Sequence, residues 1–147
     1  TSIVSTLLGR ARTGLFAARE YLDRRRSGAR LTREDAPHHD WIGFDSSLER
    51  LPQQAWMRAY GARRFVFRSN SALAMEHALL AGIGVGLLTE AQARTLPSLV
   101  PLELDDRPPD VEVFLAFRAE ARKTPRVRAV VKELDDELRS ALGAHRR

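Results

Sequence analysis

The stretch FRSNSALAMEHALLAGIGVGLLTEAQA, residues 67–93, decides the fold. It opens with the small polar side chains of Ser69–Ser71, which are favoured before a helix because they accept hydrogen bonds from free backbone N–H groups. The strong helix formers of Ala72–Ala81 follow, and Gly82 lies where a helix ends. The chain then turns directly into the apolar run Val85–Leu88. A helix that leads at once into a buried strand is typical of α/β proteins.

The rest of the chain continues this alternation of short apolar runs and amphipathic stretches. Pro52 and Gly61 mark the start and end of a helix, and Thr89–Gln92 has the spacing of a capping box. The predicted strands are Thr13–Ala18, Trp41–Phe44, Phe65–Ser69, Val85–Leu88, Leu99–Leu104 and Val111–Phe117. The predicted helices are Arg19–Arg26, Gln53–Tyr60, Ala72–Ala81, a short helix after Thr89, and a long helix from Thr124 that Gly143 ends. This order predicts a wound α/β fold.

Composition excludes several classes of protein. The chain has 147 residues, enough for one ordinary domain or two small lobes, and the absence of cysteine excludes disulfides and thiol chemistry. The 24 Lys and Arg against 19 Asp and Glu give a net charge of +5, but the arginines are scattered among acids, so we expect weak or no binding of this segment to nucleic acid. The longest uncharged run, His77–Thr89, falls short of the roughly 20 residues of a membrane span, and no membrane partner is expected. Because the chain begins with Thr1 rather than Met, we expect it to be a piece of something longer.

Few residues suggest catalysis or metal binding. His38, His39 and Asp40 form the one dense group of possible metal ligands, but adjacent side chains on an extended chain point in opposite directions, so we expect a polar loop. Gly82–Gly86 has the look of a nucleotide fingerprint, but it leaves a helix and enters a strand, the reverse of a phosphate loop. No nucleophile–base pair is visible. The sequence therefore predicts no metal, no cofactor and no enzymatic activity.

The segment Phe65–Ala74 is the strongest candidate for ligand binding. It places hydroxyl and amide side chains at the carboxyl end of a strand and at the start of a helix. Free N–H groups and the helix dipole favour an anion there, and ligands of open α/β sheets lie outside the carboxyl ends of the strands. The alternative is plain helix capping without a ligand.

Residues 67–93 also resemble the strand, serine-containing turn, helix, Gly-x-Gly and strand of LysR-type transcriptional regulators. Further segments fall in the family's order: Leu15–Leu22, His38–Phe44, Leu99–Leu102, Val111–Phe117 and Thr124–Leu142. The resemblance implies a type 2 periplasmic-binding-like effector domain of α/β class, with one complete lobe and part of the second. It implies that residues 18–96 form lobe two and that residues 99–142 return toward lobe one.

The resemblance also implies a function. We expect the effector-sensing domain of a bacterial, cytoplasmic transcriptional regulator that self-associates as a dimer or tetramer. DNA is read by a winged helix-turn-helix in such regulators, and this chain has no counterpart of it. The effector is expected to be a small molecule, an organic acid or an aromatic compound. The implied effector contacts are Ser69, Asn70, Ser71, Ile83 and Gly84, with Arg68 as a possible carboxylate partner. The alternative is a periplasmic-type solute-binding protein, or another free-standing ligand-binding domain of the same fold.

The missing opening part of lobe one has a physical consequence. Its remaining strands would lack sheet neighbours from their own chain, and unpaired edges and exposed apolar faces favour association. We expect either that another copy covers this face or that these residues are disordered.

Overall fold

The computed structural model describes residues 2–143 and divides them into two compact units. The larger unit comprises residues 12–109, and the smaller unit comprises residues 2–11 and 110–143. Both units combine strands with helices, so the predicted α/β class is confirmed.

The elements follow one another in an order close to the predicted one. The strands are β1 (Ile3–Ala11), β2 (Thr13–Ala18), β3 (Arg30–Leu31), β4 (Asp40–Phe44), β5 (Arg64–Ser69), β6 (Gly86–Thr89), β7 (Leu99–Pro101), β8 (Glu103–Leu104) and β9 (Val111–Arg118). The helices are α1 (Arg19–Arg25), α2 (Pro52–Tyr60), α3 (Ala72–Leu80), α4 (Glu90–Arg94) and α5 (Pro125–Ala141), with short 3₁₀ turns at Ala36–His38, Ser46–Leu48 and Ala119–Lys123. Within the described part of the chain, no helix has the length and apolar character needed to span a bilayer.

The central sheet of the larger unit is organised around β4. This strand pairs in parallel with β5 on one side. On the other side Trp41 forms a parallel bridge to Val85, directly before β6. The N–H of Val85 donates to the carbonyl of Asp40, and the N–H of Ile42 donates to the carbonyl of Val85, each at 2.8 Å. Because β6 pairs antiparallel with β2, and β2 with β7, the strand order is β5-β4-β6-β2-β7.

The two edges of this sheet are chemically different. Strands β4, β5 and β6 run parallel, so their carboxyl ends meet at one edge, which we call the carboxyl edge. It holds Phe44, Ser69 and Thr89, together with Thr13 at the start of β2, which is paired with Thr89. The opposite edge, the amino edge, holds the beginnings of the three strands, including Asp40. A ligand site outside the strands must lie at one of these edges.

Two groups of buried side chains pack against the sheet. One contains Trp41 and the other contains Ile42, both fully buried. The pairing of β4 with β5 shifts register between these two residues. As a result Phe65 packs with the Trp41 group and Phe67 with the Ile42 group, although a regular strand would place them on the same face. The pairing of β4 with β5 is therefore irregular at this point, although every second side chain of β5 from Phe65 onward is still half-buried.

The predicted helix ends agree well with the structure. Gly61 and Gly82 follow α2 and α3 with φ of 129° and 69°, a region that favours glycine because it has no Cβ. The capping box at Thr89 is also confirmed. Its hydroxyl oxygen accepts from the N–H of Gln92 at 3.2 Å, and the Gln92 side-chain oxygen accepts from the N–H of Thr89 at 2.9 Å.

The stretch Leu99–Leu104 differs from the prediction of one strand. It forms β7, which pairs with β2, and β8, which pairs in parallel with β3. Between them the N–H of Leu102 donates to the carbonyl of Leu15 at 2.9 Å. These hydrogen bonds hold the segment in the larger unit, whereas we expected residues 99–142 to return together toward lobe one. The structure instead places the boundary between residues 109 and 110.

The smaller unit is a two-stranded antiparallel sheet of β1 and β9 with helix α5. Strand β1 was not among the predicted strands, which begin at Thr13. Its apolar residues come in adjacent pairs, Ile3–Val4 and Leu7–Leu8, so they lie on both faces of the strand and give no alternating pattern. Leu8 is buried, while Ile3 is 70%, Leu7 38% and Phe114 51% exposed. That another copy of the chain covers the exposed apolar side chains of Ile3, Leu7 and Phe114 stays a prediction.

The buried pair Tyr21–His39 makes the stability of the larger unit sensitive to acid. The N–H of Asp40 donates to the Tyr21 hydroxyl at 3.0 Å, and this hydroxyl lies 3.0 Å from Nδ1 of His39. Since the oxygen already accepts one hydrogen bond, the pair favours a hydroxyl that donates to an unprotonated Nδ1. Burial, and then the positive charge of Arg25, lower the pKa of His39 from its usual 6.5.

We therefore predict that the free energy of unfolding falls as the pH drops below about 6.5. The unfolded chain binds a proton there that the folded state rejects, which costs at most about 1.4 kcal/mol per pH unit for one group. Urea titrations between pH 7.5 and 5 should show a smaller slope for His39→Gln than for the parent protein. The exposed neighbour His38 supplies the control, His38→Gln. Equal slopes for the parent and His39→Gln would contradict the assignment.

Candidate functional site

The candidate site is a polar corner at the carboxyl edge, where β5 passes into α3. The N–H of Asp45, just after β4, donates to the carbonyl of Ser69 at 3.2 Å and joins the ends of the two strands. The Ser69 hydroxyl oxygen accepts from the N–H of Ser71 at 3.0 Å. The Ser71 hydroxyl oxygen in turn accepts from the N–H of Ala74 at 3.2 Å and caps α3. Both serines are thus held in place through their oxygen atoms.

This geometry leaves donors facing outward. Ser69 is half-buried, while Asn70 and Ser71 are exposed. Each serine uses its oxygen as an acceptor, so each hydroxyl hydrogen remains available for a ligand. The amino end of α3, with the positive end of its dipole, lies at the same place. The arrangement suits a ligand that accepts hydrogen bonds, such as a carboxylate or another anion.

Arg68 is engaged elsewhere. Its Nε donates to the carbonyl of Phe44 at 2.8 Å, and Nη2 pairs with the carboxylate of Glu49. The guanidinium carbon lies 5.8 Å from the centroid of the Phe65 ring. The guanidinium is thus occupied by groups of its own chain, on the face of β5 that carries Phe65. The structure therefore does not present Arg68 as a free carboxylate partner.

Ile83 and Gly84 do not join the corner. They precede Val85, which is bonded to Asp40, and they therefore lie at the amino edge. A Cβ at position 84 would collide with the carbonyl of Asp40, so this glycine permits two strands to approach closely. The expectation that Ile83 and Gly84 share one site with Ser69 is corrected by the direction of β6, whose start and end lie at opposite edges.

Two further groups at the carboxyl edge were missed by the sequence analysis. The Asp45 carboxylate accepts from the N–H and the hydroxyl of Ser47 at 2.9 and 2.6 Å, which shapes the turn after β4. Gln54 of α2 is fully buried, and its side-chain oxygen accepts from the N–H of Phe44 at 3.0 Å. Its amide nitrogen has no hydrogen-bond partner among the described residues. The polar Asp-Ser-Ser run after an apolar strand is a sequence signal for the first group. No sequence signal shows that the side chains of Gln53 and Gln54 are both buried.

The histidine-rich segment forms no metal site in the described residues. His39 is buried against Tyr21, and the Asp40 carboxylate pairs with Arg25 and Arg64. Across residues 2–143, no three His, Asp or Glu side chains come together as metal ligands. The segment therefore serves to fix the start of β4.

A family model described as "LysR substrate binding domain" matches residues 1–139. Among curated protein sequences, none matches the chain significantly.

Solved structures of similar fold come from LysR-type regulators. The regulatory domain of CrgA from Neisseria meningitidis is 20% identical, with a TM-score of 0.71 over 94% of this chain and 70% of that chain. The regulatory domain of CcmR from Synechocystis PCC6803, in complex with 2-PG, is 15% identical, with a TM-score of 0.68 over 96% of this chain and 67% of that one. The effector binding domain of QuiR, in complex with shikimate, is 12% identical, with a TM-score of 0.65 over 97% and 66%. A second CrgA structure contains a longer chain, and there the match covers 94% of this chain but only 48% of the CrgA chain.

The structural role of Gly84 generates a prediction. Gly84→Ala should lower the free energy of unfolding by about 1–3 kcal/mol, because the new methyl group must displace the backbone of β4. Gly28→Ala is the matched control, since a Cβ at that position has no neighbour within 4 Å. Chemical denaturation of both variants measures the difference. Equal stabilities would show that the strands do not approach at Gly84 as described.

Proposed function

The chain belongs to the LysR substrate-binding domain family, and from this premise we propose that it senses a small-molecule effector for a transcriptional regulator. The observation that carries the proposal is the polar corner at the carboxyl edge of the sheet. Two serine hydroxyls and the amino end of α3 meet there, in the position where open α/β sheets bind ligands. The complexes of CcmR with 2-PG and of QuiR with shikimate support binding of small molecules by this fold.

The chemistry of the corner favours a small organic acid as the effector, with an aromatic compound as the other expectation. Ser69, Asn70 and Ser71 donate hydrogen bonds, and the dipole of α3 stabilises negative charge. Arg68 adds no free positive charge because Glu49 already pairs with it. The contacts are therefore directional hydrogen bonds from serine and asparagine rather than an arginine clamp.

The role in the whole protein extends beyond this chain. We propose that DNA is read by a winged helix-turn-helix outside it, that the regulator acts in the cytoplasm, and that it self-associates. The chain itself performs no catalysis. Effector binding changes the geometry of the assembly by a population shift, since a ligand moves an equilibrium only when it binds two arrangements unequally.

Two substitutions at one position test the charge of the effector. Ser71→Asn and Ser71→Asp both retain a side-chain oxygen that caps α3, so both preserve the helix start. We expect Ser71→Asp to weaken an anionic effector at least tenfold more than Ser71→Asn, because it adds a negative charge beside the ligand. The readout is the effector concentration that gives half-maximal transcriptional response of the full-length regulator. An equal effect of the two variants would show that the effector is not anionic there.

The double variant Ser69→Ala/Ser71→Ala tests the site itself. It should abolish the effector response of the full-length regulator while leaving operator binding intact. Ser98→Ala, at an exposed turn, is the control for loss of a serine elsewhere. An unchanged response in the double variant would reject the corner as the effector site.

A further inference from the structure

Helix α5 encloses a pocket against one face of the sheet of the smaller unit. Leu115 and Phe117 of β9 line one side of it, and they share a face of the strand because they are two residues apart. Val127 and Val131 of α5 line the other side, one helical turn apart. All four side chains are only half-buried, so the described residues leave this part of the unit's interior unfilled.

The pocket is distinct from the exposed apolar face of the same sheet. In the pairing of β1 with β9, Leu7 is opposite Phe114 and Thr6 is opposite Leu115. Thr6 and Leu115 line the pocket. Since neighbouring residues of a strand point to opposite faces, Leu7 and Phe114 lie on the face away from it. A copy of the chain that covered Leu7 and Phe114 would therefore leave the pocket accessible.

The size and lining of the pocket suit a small ligand with an apolar body. Its volume is about 440 Å³, within the range of roughly 300–1,000 Å³ that is typical of ligand sites. Two aliphatic side chains of α5 face an aliphatic and an aromatic side chain of β9 across it. Removing these surfaces from water favours the binding of hydrocarbon there.

Three cations stand at the exposed rim of this pocket. They are Arg122, Arg128 and Lys132. Within the described residues none of them forms an ion pair. The guanidinium carbon of Arg122 lies 5.8 Å from the centroid of the Phe117 ring, so positive charge lies directly beside the apolar lining. The carboxylate of Asp135, which also lines the pocket, is paired with Arg139 at 2.9 Å and offsets the rim charge only in part.

We propose that this pocket binds a second small molecule, a carboxylate with an apolar body of the medium-chain fatty-acid type. The hydrocarbon lies between α5 and β9. The carboxylate lies at the rim beside Arg128 and Lys132, which are four residues apart on the same side of the helix. A ligand made only of phosphate groups would leave the apolar lining exposed to water, and a neutral hydrocarbon would leave the rim cations unpaired. An amphipathic anion satisfies both parts of the pocket.

This inference goes beyond the proposed effector site and does not depend on it. The pocket lies wholly in the smaller unit, whereas Ser69 and Ser71 lie in the larger unit. Amide signals from the two units report on the two sites separately, so the failure of either proposal is recognisable without the other.

NMR titrations of the ¹⁵N-labelled 147-residue chain test the pocket with three probes that share one hydrocarbon chain. Octanoate has a negative head group, 1-octanol a neutral one and octylammonium a positive one. We expect octanoate to shift the amide signals of residues 115–117 and 127–132. Its dissociation constant should be about tenfold lower than that of octanol, because only the carboxylate is attracted by the rim cations. Octylammonium should bind more weakly than octanol, since like charges repel.

A matched pair of charge reversals tests the rim. Arg128→Glu should raise the dissociation constant of octanoate about tenfold and leave that of octanol unchanged. Arg126→Glu makes the same change on the same helix at an exposed residue that does not line the pocket, and it should affect neither probe. Val131→Phe places a larger side chain in the pocket and should abolish binding of both probes. The dispersion of the amide signals verifies that each variant is folded.

Three results would overturn the proposal. The first is the absence of shifts at residues 115–117 and 127–132 with octanoate at about 10 mM, where even a weak site is occupied. The second is a dissociation constant for octanol equal to that for octanoate, which would mean that the rim cations do not take part. The third is an equal effect of Arg126→Glu and Arg128→Glu, which would show attraction by the net charge of the helix rather than binding at the rim.

Discussion

The parallel bridge between β4 and Val85, the residue directly before β6, determines where a ligand can bind in the larger unit. Trp41 is fully buried at this bridge, and its indole N–H donates to the carbonyl of Ala36 at 2.9 Å. The two backbone hydrogen bonds of Val85 fix the direction of β6 relative to β4. Once three strands run in the same direction, their carboxyl ends must share an edge, and the helix α3 must start at that edge.

The positions of hydrogen-bond donors at the carboxyl edge follow from this constraint. Ser69 ends β5 and Ser71 caps α3, so the chain reverses between them within three residues. The turn is stiffened because both serine oxygens accept backbone hydrogen bonds. Donors fixed before the ligand arrives lose little conformational entropy on binding, which favours affinity for a small molecule. The same rigidity gives a ligand a defined orientation relative to the sheet.

Much of this fold is predictable from the sequence because local signals agree with the final structure. The capping residue Ser71, the glycine after α3 and the capping box at Thr89 each act through hydrogen bonds within a few residues, and all three occur as expected. Strand β1 pairs with β9, β7 pairs with β2, and β8 pairs with β3. These partners are far apart in the sequence, so local sequence patterns do not predict β1 or the division between β7 and β8.

The candidate site shows the same division. The hydrogen bonds of the corner at Ser69–Ser71 are local and follow the capping pattern of the sequence, whereas its role as a ligand site stays a proposal. Ile83 and Gly84 lie at the other edge of the sheet, because α3 returns the chain from the carboxyl edge to the amino edge before β6 begins. Local sequence does not reveal this separation from Ser69. The side-chain partners of Arg68 were equally hidden, because Glu49 is distant in sequence and reaches it only in the folded chain.

The most direct test of the effector site is an NMR titration of the ¹⁵N-labelled chain with shikimate and other small carboxylates. Our prediction is that binding shifts the amide signals of Asp45 and of residues 69–74, with little change at residues 83–85. Shifts concentrated at residues 83–85, with the signals of residues 69–74 unmoved by a ligand that binds, would contradict it.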